Sequence, residues 1–419
     1  MTSVSGEAWF SDLALVRVLA LLNGDGGEAR VAGGAVRNSL MGLPVADVDI
    51  ATTLRPQTVV ERAMAAGIKA VPTGIEHGTV TLVVEGKPFE VTTLRRDVAT
   101  DGRHAEVAFG TDWRTDAERR DLTINALYAD ATGAVIDLVD GLPDIESRTV
   151  RFIGDAATRI AEDHLRILRF FRFFALYGRG RPDAEGLKAC ARAKDKLGKL
   201  SAERVWSETK KLLAAPDPGR ALLWMRQSGV LTEILPETEK WGIDAIPGLI
   251  DAEKAFGWQP EPMLRLAAMV PPDRERLKAL AERLRLSKAE AASLDHWARA
   301  PEIAAKLAET AFDRLLYRHG PLGLVMRLKL ALAGARARGL GDSEALALAG
   351  LCQRLLARAQ KWQRPSFPLT GTDVLAAGVP AGPRVGAVLG AIEEEWVNGN
   401  FNEGREKLLA RLQAEAGKR

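Results

Sequence analysis

After about residue 151 the short β-branched runs of this 419-residue chain nearly vanish, and Arg, Ala, Leu and Glu recur at helical spacing instead. Strands confined to the first third of a chain can build a sheet there and only helices afterwards. The strand candidates are residues 29–32, 48–52, 80–84, 89–94 and 136–139, each bounded by Gly, Pro or Asp. The expected fold is therefore α+β, a head of mixed β-sheet with helices followed by an all-helical remainder. Breaks in the helical part are expected near 216–219, around 246–248, at Pro271-Pro272 and at 365–371. The length exceeds what one compact core supports, and two to four domains are expected.

Composition excludes several classes. With 47% apolar and 27% charged residues the chain reads as a soluble globular protein, and no apolar run approaches the roughly 20 residues that span a bilayer. The apolar stretch 8–22 is interrupted by Asp12 and Arg17 and follows no basic segment, so an amphipathic helix is expected in place of a signal peptide, with a cytoplasmic location and no membrane partner. Cys190 and Cys352 stand far apart, which disfavours a disulfide scaffold and a zinc site. Five scattered histidines form no His-x-x-x-His pair, so no histidine-based metal hydrolase is visible. Net charge is only +3, and an RNA partner needs local basic clusters. Arg179, Arg181, Lys194, Lys196, Lys199, Lys210 and Lys211 form one candidate; Arg336, Arg338, Arg354, Arg358 and Lys361 form another. Solvated helix faces account for both equally well.

The chemistry concentrates in VAGGAVRNSLMGLPVADVDIATT, residues 31–53. Gly33 and Gly34 end an apolar strand and open a short helical run, letting backbone amides approach an anion, with Arg37 one turn later to add charge. In an extended segment Asp47 and Asp49 project to one side while Val48 and Ile50 face a core. Paired carboxylates suit a hard divalent cation such as Mg2+ that also takes phosphate oxygens. The run is neither a Walker loop nor a dinucleotide fingerprint. Glu90, in the apolar-acid-apolar run Phe89-Glu90-Val91, can lie on a neighbouring strand beside the Asp pair, with an exposed strand residue as the plainer alternative.

Two further runs add groups for a nucleotide. In RRDLTIN, residues 119–125, a helical turn places Asp121 and Asn125 four apart to meet one ligand, a ribose hydroxyl among the choices, with Arg119 and Arg120 on phosphates. In EDHLRILRFFRFF, residues 162–174, an apolar face through Ile167, Phe171 and Phe174 leaves Asp163 and Arg166 three apart on a polar side. Cytosine and adenine share an exocyclic amine beside a ring-nitrogen acceptor. Asp163 accepting from the amine while Arg166 donates to the ring nitrogen selects those two bases, whereas a surface salt bridge is the plainer alternative.

Together with TGIEHGTVTL, FEVTTLRRD, VDGLPDIESRTVRFIG and SAERVWSETKKLL, these motifs resemble bacterial CCA-adding tRNA nucleotidyltransferases, the class sharing its head with bacterial poly(A) polymerases. The resemblance covers roughly residues 28–215, with a weaker match in the tail run LTGTDVLAAGVPAGPRVGAVL. It implies a nucleotidyltransferase head at 1–145, a helical neck that recognises the base at 146–225, a body at 226–330 and a tail at 331–419. The helical parts are then expected to grip the acceptor stem and elbow of tRNA. It also implies that Asp47 and Asp49 hold two Mg2+ ions, with Glu90 as the third acidic position. Gly33, Gly34 and Arg37 would bind the triphosphate, Asp121 and Asn125 the ribose end. Asp163 and Arg166 would read CTP and ATP, with Arg120 and Arg169 near the same pocket.

The implied reaction is template-independent addition of CCA to the 3′ end of tRNA from CTP and ATP, with release of pyrophosphate. A poly(A) polymerase, or a partial enzyme adding only CC or only A, shares most of these motifs. The polar loop 95–115 is long enough to act as a moving element, and a shortened loop goes with CC-only enzymes, so its presence favours complete addition. One departure stands out: Asn38 follows Arg37 where the family carries Asp.

Overall fold

The computed structural model describes residues 2–101, 104–239, 241–339 and 341–416; of residues 96–101 and 104–107 it describes the backbone alone. The chain divides into two compact units, residues 1–236 and 237–419.

The first unit is built on a seven-stranded sheet. Its strands are β1 (Ala29–Ala32), β2 (Asp49–Thr52), β3 (Lys69–Gly74), β4 (Thr79–Val84), β5 (Lys87–Thr93), β8 (Leu127–Ala129) and β9 (Val135–Asp137), in the order β3-β4-β5-β2-β1-β8-β9. All neighbours are antiparallel except β2 and β5. Alternation explains β4, whose Val80, Leu82 and Val84 are buried while the residues between them are partly exposed. The interior strands β1 and β2 are buried at three of their four residues each, because both their faces are covered.

Helices α1 (Leu13–Leu22), α2 (Gly34–Leu40), α3 (Pro56–Ala65), α4 (Trp113–Glu118) and α5 (Gly141–Ser147) complete the head. Asp12 caps α1 by accepting from the Ala14 amide. Residues 95–115, expected as a polar loop, contain a two-stranded antiparallel ribbon, β6 (Arg95–Asp101) and β7 (His104–Phe109), followed by α4. Gly102 and Arg103, at its tip, lie outside the described residues.

From residue 156 onward the first unit is helical: α6 (Ala156–Glu162), α7 (Arg166–Tyr177), α8 (Ala184–Ala193), α9 (Ala202–Leu213), α10 (Gly219–Gln227) and α11 (Val230–Ile234). The apolar face expected along α7 is buried at Ile167, Leu168, Phe170, Phe171, Phe173 and Phe174. The second unit contains only helices among the described residues. Its cores gather around Phe312, Leu328 and Leu355, and around Val374, Ile392 and Trp396. The break expected at 246–248 falls inside α12 (Ala245–Phe256). Pro247 is tolerated there because first-turn amides have no intrahelical acceptor to lose. The other three expected breaks separate helices. Among the described residues no helix is long and apolar enough to cross a membrane.

Candidate active site

The first unit carries a cleft of about 450 Å3 that collects residues from five parts of the chain. The β1–α2 turn supplies Gly33, Gly34 and Arg37, and the first residue of β2 supplies Asp49. Arg119, Arg120, Asp121 and Asn125 come from the segment after α4, Asp163, Leu165 and Arg166 from the α6–α7 junction, Arg169 and Phe173 from α7, and Arg204 from α9. Every site residue expected from sequence lines this cleft except Asp47 and Glu90. Six arginines against three carboxylates make it strongly cationic, suited to a polyphosphate.

Gly33 is required by its backbone. Its φ is +67°, and a Cβ there would lie 3.1 Å from the Asn125 carbonyl oxygen and 3.3 Å from Arg120 Nη1. The turn is pinned from below, the Gly33 amide donating to the Leu127 carbonyl at 2.8 Å.

The acidic wall forms where β2 meets β5 in parallel, with Asp49 opposite Glu90. Asp47 precedes the strand, and Asp47, Asp49 and Glu90 are all exposed; Val48, expected in the core, is half-buried. The Asp49 carboxyl is held above the usual carboxylate range, first by partial desolvation at the cleft wall, then by repulsion from Glu90 and Asp47, with Arg120 opposing. Among the described residues no three His, Cys, Asp or Glu side chains enclose an ion-sized point as they stand. Asp49 with the neighbouring carboxylates Asp47 and Glu90 nonetheless fits a hard divalent ion by donor chemistry.

Asp121 and Asn125 occupy a different local structure from the one expected. The helical turn is a short 3-10 segment, Thr123–Asn125, and Leu122 bridges to Phe152. The two side chains nevertheless meet, Asn125 Nδ2 donating to Asp121 Oδ1 at 3.1 Å. Asp121 also accepts from the Leu122 amide at 2.9 Å and from Arg169 Nε at 2.6 Å. Burial pulls this carboxyl up most strongly, but the Arg169 guanidinium together with the hydrogen bonds from Asn125 and the Leu122 amide outweighs it and holds the group low. Asn125 Oδ1 accepts from Arg37. The pair expected to face a ribose therefore first fastens Arg37 and Arg169.

Asp163 and Arg166 do not share one helix. The run expected to be continuous breaks at Asp163, whose φ of −152° is extended, and α7 restarts at Arg166. Nor do the two side chains pair with each other. Asp163 Oδ2 accepts from Arg204 Nη2 at 2.6 Å, while Arg166 pairs with Glu162 and donates to the Arg159 and Arg119 carbonyls at 3.0 and 3.2 Å. His164 Nδ1 donates to the Ile160 carbonyl at 2.8 Å, and the residue stays out of the cleft lining.

Three participants were not singled out from sequence. Asp116, on α4, is 1% exposed and accepts from Arg119 Nη2 at 2.6 Å, Arg120 Nη2 at 3.2 Å and the Tyr128 hydroxyl at 2.8 Å. Arg204 holds Asp163, and Tyr177 holds Arg37. An acid four before Arg120 on a helix was a readable signal for Asp116; the other two partners lie too far along the chain for any local pattern to reveal.

Similarity to known proteins agrees with this geometry. Residues 29–151 match the family model described as the poly A polymerase head domain, and residues 181–241 match the probable RNA and SrmB- binding site of polymerase A. The mouse mitochondrial CCA tRNA nucleotidyltransferase 1 is 36% identical over 393 residues, covering 91% of this chain and 86% of the relative. The chain belongs to the CCA-adding tRNA nucleotidyltransferase family. The CCA-adding enzyme of Geobacillus thermodenitrificans is 34% identical over 404 residues, covering 94% and 95% of the two chains. A Bacillus stearothermophilus CCA-adding enzyme solved in complex with CTP superposes with a TM-score of 0.70, at 27% identity and 96% coverage of both chains. Mitochondrial and bacterial relatives thus both match, and membership of the family does not carry the bacterial restriction that the motifs suggested.

Proposed function

We propose that this chain adds CCA to the 3′ end of tRNA from CTP and ATP without a nucleic-acid template. The observation that carries the reading is the single cleft in which an acidic strand edge, a Gly-Gly turn, six arginines and the Asp163–Arg166 junction converge. In this reading the arginines neutralise the triphosphate, and the Gly33-Gly34 turn admits it close to the backbone. Asp121 uses three of its roughly four acceptor positions within the protein, which leaves one for a ribose hydroxyl. Asp163 accepts from the exocyclic amine of cytosine or adenine, and Arg166 donates to the adjacent ring nitrogen. Arg204 and Glu162 hold those two side chains in place, so the base is read by preset groups.

Asp47 and Asp49, with Glu90 beside them, are the residues that would hold Mg2+. Bound there, the ion supplies charge neutralisation at the phosphates and a lowered pKa for the attacking 3′ hydroxyl. Residues 1–145 form the catalytic head and 146–225 the neck, with body 226–330 and tail 331–419 gripping the acceptor stem and elbow of the tRNA. Residues 95–115, which carry the β6–β7 ribbon, are long enough to act as the moving element whose shortening goes with CC-only addition, which favours complete CCA addition. A bacterial enzyme at work in the cytoplasm completes the proposal; its two cysteines are free thiols, as a reducing compartment keeps them.

Steady-state incorporation and tRNA binding on Asp47→Ala test the acidic wall. Incorporation is expected to disappear with tRNA affinity nearly unchanged, and near-normal incorporation would rule the metal assignment out. The poly(A) polymerase reading, favoured by the description of the matching head model, requires long A tails on RNA of any sequence.

A further inference from the structure

Arg37 is 7% exposed, and among the described residues every hydrogen-bond acceptor it meets is neutral. Its Nε and Nη2 donate to Asn38 Oδ1 at 3.1 and 2.9 Å, its Nη1 to Asn125 Oδ1, and its Nη2 to the Tyr177 hydroxyl at 2.7 Å. The Tyr177 ring also lies against the guanidinium, with its centroid 4.1 Å from the Arg37 guanidinium carbon. Asp121 acts on this charge only from behind Asn125. A cation removed from water with no carboxylate against it is costly, and an anion entering the cleft it lines offsets that cost. Burial in fact pushes the guanidinium below its ordinary pKa, in keeping with an incompletely compensated charge.

We propose that Tyr177 is a positioning residue for the nucleoside triphosphate. Its hydroxyl and ring hold Arg37 beside the Gly33-Gly34 turn, so that this under-compensated charge faces the phosphates. Tyr177 ends α7, the helix whose other end carries Arg166 and Arg169, and the contact ties the base-reading helix to the triphosphate cradle. A closed ring of bonds results: Tyr177 to Arg37, Arg37 to Asn125, Asn125 to Asp121, and Asp121 to Arg169 on the same helix. The inference rests on the reading that the cleft takes CTP and ATP. It adds a residue outside the cleft lining whose effect reaches both nucleotides equally, because the base is read elsewhere.

The test is Tyr177→Phe, which keeps the ring and its packing and removes only the hydroxyl. KM for CTP and for ATP is expected to rise by the same factor, about three- to tenfold, the usual effect of losing one hydrogen bond of this kind. The kcat and the KM for tRNA are expected to stay within about twofold. Inorganic tripolyphosphate, titrated by calorimetry in the presence of magnesium, is expected to bind more weakly by a matching factor. In an Arg37→Met background, Tyr177→Phe is expected to change the nucleotide KM no further. An unchanged KM with reduced kcat, a shift for one nucleotide only, unaltered tripolyphosphate affinity, or full additivity with Arg37→Met each overturn the proposal. Tripolyphosphate binding needs no turnover, so a failure of the proposed reaction and a failure of this inference register separately.

Discussion

Asp116 is the side chain on which the arrangement of the cleft most depends, although it never faces the cleft. Two oxygens receive Arg119 Nε and Nη2 at 2.9 and 2.6 Å, Arg120 Nε and Nη2 at 3.4 and 3.2 Å, and the Tyr128 hydroxyl at 2.8 Å. Arg120 in turn donates to the Asn125 carbonyl at 3.2 Å, and the Arg119 carbonyl accepts from Arg166. Removing one partner of a buried ion pair costs about 3–5 kcal/mol, because the other charge is left uncompensated. Here the two guanidinium side chains keep 18% and 24% exposure and thus some hydration, which places Asp116→Ala near 3 kcal/mol by the same scale. For a cooperative unit of this size that corresponds to a fall in melting temperature of about 6–12 °C. Scanning calorimetry is the assay, with the transition of the first unit expected to move alone. Asp112→Ala is the control, since Asp112 caps the same helix from an exposed position and touches neither arginine. It is expected to lower the transition less and to leave the nucleotide KM unchanged. Melting of Asp116→Ala within about 2 °C of wild type, or an equal fall for both variants, refutes the reasoning.

Other consequences follow from charges held in unusual surroundings. The Asp116 and Asp121 carboxyls are both held below their ordinary value of 3.8, so the stability they contribute is complete above about pH 4 and is lost as pH falls through their folded-state values. Acid titration of the melting temperature is expected to show a steep fall below that pH, and Asp121→Asn a shallower one; parallel curves would contradict the assignment. Asp49→Asn relieves repulsion by Glu90 and Asp47, so it is expected to raise the melting temperature without metal while abolishing incorporation. Added magnesium is then expected to stabilise wild type but not this variant; equal stabilisation of both would dissociate Asp49 from the ion. In the second unit, Glu253 and Arg265 form a fully buried bidentate pair, and Glu253→Ala is expected to cost about 3–5 kcal/mol in urea denaturation. Replacing the pair together by Leu and Met is expected to recover most of that loss.

Where local pattern decided structure, the chain was readable. The strand at 29–32 exists as expected, and those at 48–52, 80–84, 89–94 and 136–139 exist with shifted ends, because each is bounded by turn residues. β3 escaped notice because Pro72 interrupts it and it lies half-exposed at the sheet edge, where composition leaves a weak mark. The ribbon β6–β7 escaped notice because charged and small residues dominate its sequence and its pairing is interrupted by an irregularity between Asp97 and Ala99. The site residues were legible as types, since a Gly-Gly turn before Asp-x-Asp and an Asp/Arg pair carry their chemistry in spacing. Their actual partners were not. Asp163 pairs with a residue 41 positions away and Arg37 with one 140 positions away, and packing alone settles such contacts. The helix break at Asp163 was hidden because apolar periodicity continues across it, while at the break Asp163 accepts from the Leu165 amide and pairs with Arg204.

The central claim is that one cleft, with no template, chooses C twice and then A on a tRNA end. The most direct measurement is sequencing of the products when purified protein is given magnesium, CTP and ATP with tRNA lacking its last three nucleotides, tRNA ending in CC, and an unstructured oligonucleotide. The account predicts CCA on the first, a single A on the second and no extension of the third. Long A tails on all three, or extension of the oligonucleotide as readily as tRNA, would contradict it.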